Sequence, residues 1–228
     1  MKKLILFSVI ILGWHQVWAQ SHEPLESINI GVTSRIGAFN LTQKFVPVSS
    51  EKCVEGCRIN HSSPSLNLSL GFKVRLFLSD NMGISSGLLY ASSTYHEKYI
   101  GNNGANNFSI LTKRNFNFVN IPLLLHGTLH SFTQESFSFF GEIGIINQLN
   151  LTSKFPDTFS TITLKRHGIS GLVSVGARFT KYQYLFELSP YFMHSLTSFG
   201  TDISQEDTNS HTFVPYSIGF TISILYTL

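Results

Sequence analysis

The chain has 228 residues, 43% of them hydrophobic and only 13% charged, where soluble domains carry roughly 25% charged residues. Its formal charge of +3 is no electrostatic footprint for nucleic acid, which calls for a strongly basic face, and low charge with 20 Phe, 8 Tyr and 17 Gly excludes a disordered chain. Past the first twenty residues nothing approaches the ~18 apolar residues of a spanning helix, so a β-rich membrane protein is the leading class.

Residues 1–19 read as a signal peptide. Lys2 and Lys3 form a basic start, Leu4 to Gly13 an apolar stretch, and Ala19 is the small residue before a cut. The exported domain then spans 20–228, and removing Lys2 and Lys3 brings its charge close to neutral. No Cys stands at the cut, which argues against a lipoprotein. Export permits disulfides. Cys53 and Cys57 are too few for a four-ligand zinc site, so a small disulfide loop closed through a turn at Gly56 is the expectation. Two unpaired thiols are the alternative.

From Ser27 onward the sequence alternates with period two. Segment 28–40 comes first, with Arg35 on its polar face. Between Leu66 and Leu78 every even residue is apolar, while the odd ones include Ser65, Asn67, Ser69, Lys73, Arg75 and Phe77. A helix of period 3.6 cannot keep such faces apart. Segments 82–97, 113–129, 136–151, 168–180 and 184–199 follow with weaker alternation. In 113–129, Phe116 and Phe118 lie opposite Val119, Ile121, Leu123 and Leu125, so its faces are ambiguous. Pro122 cannot donate to a ladder, and a bulge or break is expected there. The last segment, 214–228, sets Ile218, Phe220, Ile222, Ile224 and Tyr226 against Ser217, Gly219, Thr221 and Ser223.

The intervening stretches alternate between long (41–64, 98–112, 152–167, 200–211) and short (79–81, 130–135, 181–183). Eight antiparallel strands with long loops at one end and tight turns at the other is the plan of a closed outer-membrane barrel. Closure leaves no unpaired backbone edge in lipid. A ten-stranded count stays open, and so does a secreted lipocalin-like barrel with its apolar face turned inward. The polar faces are Ser, Gly, Asn and Thr rather than Lys, Glu and Asp, which favours the membrane form.

Asn115-Phe-Asn-Phe-Val-Asn-Ile-Pro-Leu-Leu-Leu125 resembles the Ile-Pro-Leu strand signature of PorT-like β-barrel proteins of Bacteroidota outer membranes. Gly87-Leu-Leu-Tyr90 and Phe186-Glu-Leu188 with Tyr191 resemble two further strands of that family. The resemblance covers most of the exported chain. Gly87 and Asn120 depart from it, standing where the family usually has Glu, and the chain ends in Leu228 where such barrels often end in an aromatic. It implies an integral outer-membrane protein without a defined activity. Outer-membrane lipid and the barrel-assembly machinery are its expected partners, the latter reading the last strand through Phe220 and Tyr226.

Chemistry is sparse. His22, His61, His96, His126, His130, His167, His194 and His211 are scattered and read as loop and rim residues. His194 and Ser195 are neighbours on a strand, so they point to opposite faces. Asp202, Glu206, Asp207 and His211 form a polar loop more readily than a metal site. No enzyme, cofactor or metal is expected. The informative set is Arg35, Lys73, Arg75, Glu142, Arg178 and Glu187, all on faces assigned inward. Ions in so narrow a barrel must pair, and a salt-bridged plug is preferred over an ion path. The roles expected are structural, or recognition of a surface ligand through loops 41–64 and 200–211, with a lipid A-modifying enzyme third.

Overall fold

A computed structural model describes residues 27–43, 58–61, 65–102, 107–131, 136–152, 154–156, 161–198, 200–203 and 211–228. The strands are β1 (Ser27–Gln43), β2 (Arg58–His61), β3 (Ser65–Ser79), β4 (Met82–Asn102), β5 (Asn107–Ser131) and β6 (Phe137–Asn150). They continue as β7 (Lys154–Pro156), β8 (Thr161–Leu164), β9 (His167–Lys181), β10 (Tyr184–Ser195), β11 (Gly200–Ile203) and β12 (His211–Thr227). Eight of them, β1, β3, β4, β5, β6, β9, β10 and β12, pair in that order, and β1 pairs with β12 to close an antiparallel barrel.

The register fixes the bore. From Ile30 the direct partners run Val74, Ser86, Leu123, Ile145, Gly171, His194 and Tyr216, and return to β1 at Asn40, ten residues beyond the start. Eight strands with a stagger of ten residues tilt by about 40° and give a backbone radius of about 8 Å. Side chains fill such a bore. With an even strand count, the start of β1 and the end of β12 share the tight-turn end, which in outer-membrane barrels faces the periplasm.

The alternating pattern becomes an apolar outside. Ile30, Val32, Leu70, Phe72, Leu123, Ile143, Val175, Leu188, Phe220 and Ile222 are exposed, while Thr33, Lys73, Glu142, Ser174 and Ser223 are buried between strands. That orientation is the reverse of a soluble ligand-holding barrel. Both faces of β5 are used, with Phe116 and Phe118 inward and Ile121, Leu123 and Leu125 outward. Pro122 keeps register with Ile146 on β6, but the pairing of β4 skips Gly87 and Leu88. The break is one-sided, and no bulge forms. Gly37 and Gly219 face each other across the closing seam, where a Cβ on either would strike the neighbouring backbone.

The long connections are partly strand rather than loop. β4 and β5 pair as far as Asn102 and Asn107, β2 adds to β4, and β7, β8 and β11 extend the sheet from β12. Conversely, the segment expected to run to 199 ends as strand at Ser195. At ~3.3 Å per residue and that tilt, the 21 residues of β4 rise about 50 Å, roughly twice the ~25 Å apolar band of such barrels. The surplus projects beyond the outer face.

Candidate functional site

Alternation along β3 aims Lys73 and Arg75 inward two residues apart. Tight turns then return the chain so that Glu142 on β6, Arg178 on β9 and Glu187 on β10 reach the same level from other walls. Arg75 is fully buried and lies at the centre. Its Nη1 and Nη2 donate to the two Glu187 oxygens at 2.5 and 2.8 Å. Nη2 also donates to Glu142 Oε1 at 2.9 Å, and Nε to Ser85 Oγ at 3.0 Å. Lys73 Nζ donates to Glu142 Oε1 at 2.7 Å and stands 3.6 Å from Glu187 Oε2. Arg178 Nε donates to Glu187 Oε1 at 2.9 Å. Charge-assisted, forked bonds of this kind are the strong ones, and together they cross the bore.

His126 completes the cluster. Arg178 Nη2 bonds its Nε2. A guanidinium can only donate, so Nε2 accepts and the ring proton sits on Nδ1, which stands 3.5 Å from Glu142 Oε1 with no closer partner. This corrects the reading of His126 as a loop or rim residue. It lies in the lumen, wedged edge-on to Phe77 at 5.6 Å and tilted against Phe140 at 5.2 Å. The same two rings carry the Arg75 and Arg178 guanidiniums at 5.5–6.0 Å, forming an aromatic floor.

Above the ions the contents change. Leu124, Ile146, Leu172, Tyr191 and Met193 pack into an apolar layer. Amides and hydroxyls follow: Asn67 donates to Ser217 at 3.0 Å, Ser93 to Asn67 at 3.1 Å, and Gln148 to Asn120 at 3.3 Å. Phe39, Phe116 and Phe118 lie over them in ring contact. Asn120 therefore sits in a neutral polar layer, and Gly87 stands directly across from Lys73.

Five of the six inward charges meet in the cluster. Arg35 does not; its guanidinium lies 5.9 Å from the Tyr191 ring, and its Nε and Nη1 have no hydrogen-bond partner. Ser195 is buried while His194 faces outward beside Phe192, which separates that pair. Asp202 and His211 are register partners of β11 and β12, but Glu206 and Asp207 lie outside the described residues, as do Cys53 and Cys57. No group of three or more metal-ligating side chains occurs among the described residues.

A solved structure shares this architecture. Outer membrane protein OprG from Pseudomonas aeruginosa aligns with a TM-score of 0.55 at 13% identity, over 90% of this chain and 98% of that one. The outer membrane protease OmpT from Escherichia coli aligns with a TM-score of 0.46 at 10% identity, over 92% and 99%. At 13% identity the likeness to OprG is one of fold. No curated protein matches. The family model for the outer membrane protein beta-barrel domain matches residues 18–224, nearly all of the barrel just described. The chain belongs to that outer-membrane β-barrel family.

Proposed function

We propose that the protein is a non-enzymatic, non-conducting barrel that anchors a strand-built outer rim at the cell surface. The observation that carries this reading is the ion cluster, in which Arg75, Glu142 and Glu187 join β3, β6 and β10 across the bore. Phe77 and Phe140 close it from below. Such a plug stiffens the wall and leaves no open water column. The cleaved peptide at 1–19 delivers the barrel across the inner membrane, and the Ile121-Pro122-Leu123 strand supports placing it with the PorT-like barrels of Bacteroidota. Its partners are outer-membrane lipid and the assembly machinery.

Single-channel recording of the purified protein in planar bilayers tests it. No steady large conductance is the expected result; a stable open level would refute the plug. A second reading, recognition of a surface ligand, is favoured by β2, β7, β8 and β11, which build ordered sheet on the rim instead of open loop. Deleting 200–211 while keeping the barrel folded separates the two, since only the second loses a binding partner.

A further inference from the structure

Among the described residues the lumen holds four cations, Arg35, Lys73, Arg75 and Arg178, against two carboxylates, Glu142 and Glu187. Both carboxylates are committed to Lys73, Arg75 and Arg178. His126 accepts from Arg178 and adds no negative charge. Arg35 is left with 6% of its surface exposed and two unsatisfied N–H groups. A buried ion without a counter-charge of its own is costly, and the carboxylate whose charge acts on Arg35, Glu142, is already bonded to Lys73 and Arg75.

The surroundings of Arg35 suit a small anion. Its direct cross-strand partners are Ser69 on β3 and Thr221 on β12, both buried on the same face. Tyr191, under the guanidinium, pairs with Ser174, whose buried Oγ also has no partner. The two free N–H groups lie on different edges of the guanidinium, and the flanking hydroxyls can each turn a proton toward an anion beside it. We infer that the lumen binds one small inorganic anion of halide size at Arg35, held by one of these two free N–H edges with Ser69 and Thr221 beside it. The anion offsets part of the surplus positive charge. The inference is independent of what the rim binds.

Bromide is the probe. In detergent at constant ionic strength, replacing sodium gluconate by sodium bromide is expected to raise the wild-type melting temperature by several degrees in a saturable way. Arg35→Met is expected to melt at one temperature in both salts. Crystals grown in bromide should show an anomalous peak within contact distance of the Arg35 guanidinium. An unsaturable or absent bromide response, an equal response in Arg35→Met, or a peak without a solution effect (binding at crystal concentration only) would overturn the site. If Arg35→Met does not fold, the wild-type titration and the crystal peak decide the matter on their own.

Discussion

Glu187 accepts from both arms of Arg75 and from Arg178, so removing its charge strands two guanidiniums in a dry bore. Losing one partner of a buried ion pair costs about 3–5 kcal/mol. Glu187→Gln and Glu142→Gln are each expected to lower the thermal midpoint in detergent well beyond any change in loop 200–211; equal effects would show the cluster to be incidental. His126→Leu leaves Arg178 Nη2 without an acceptor, a loss of about 1–3 kcal/mol, measurable by the same melt. The period-two pattern placed Lys73, Arg75, Glu142, Arg178 and Glu187 on inward faces because parity alone decides which wall of a strand faces the bore. It did not find His126, since β5 is apolar on both faces and parity there has no polar side to follow. The useful signal was that Asn120 and His126 share a parity. The isolation of Arg35 was beyond the sequence, because it depends on which strands stand opposite at that height.

At the scale of elements, the seam between β1 and β12 depends on Gly37 and Gly219. A Cβ at either position meets backbone rather than a movable side chain. Gly219→Val is expected to abolish the compact, heat-modifiable form on unboiled gels, whereas Gly168→Ala, at a site with space around it, is expected to leave it intact. Seven of the eight long strands were legible through alternation along most of their length, and β5, apolar on both faces, through its length and apolar content. β2, β7, β8 and β11 have three or four residues each, too few for a period to register, and so read as loop. Tyr182, the residue with positive φ (56°) in the β9–β10 turn, was equally hidden. Asn or Gly suits that conformation better, but here an exposed aromatic stands at the periplasmic rim near the edge-to-face pair of Tyr184 and Tyr226, where interfacial anchoring favours Tyr.

For the whole molecule, the apolar outer wall predicts that the protein sediments with outer membranes and resists carbonate extraction; recovery as a soluble monomer would contradict the family assignment. Mass spectrometry without reduction is expected to show Cys53 and Cys57 in one linked peptide, with little effect on the melt when both are replaced. The closing seam has a further consequence. Thr33 and Ser223, hydrogen-bonded across it at 2.9 Å, are 190 residues apart in the chain. Bringing such distant segments together costs on the order of 4–5 kcal/mol of chain entropy, and topologies dominated by remote pairings fold slowly. Until β12 is in place, β1 has no mate on that side and β10 presents a bare edge, the kind of surface that templates aggregation. Every new copy therefore passes through an open, sticky state, and its survival depends on keeping those edges covered until β12 arrives.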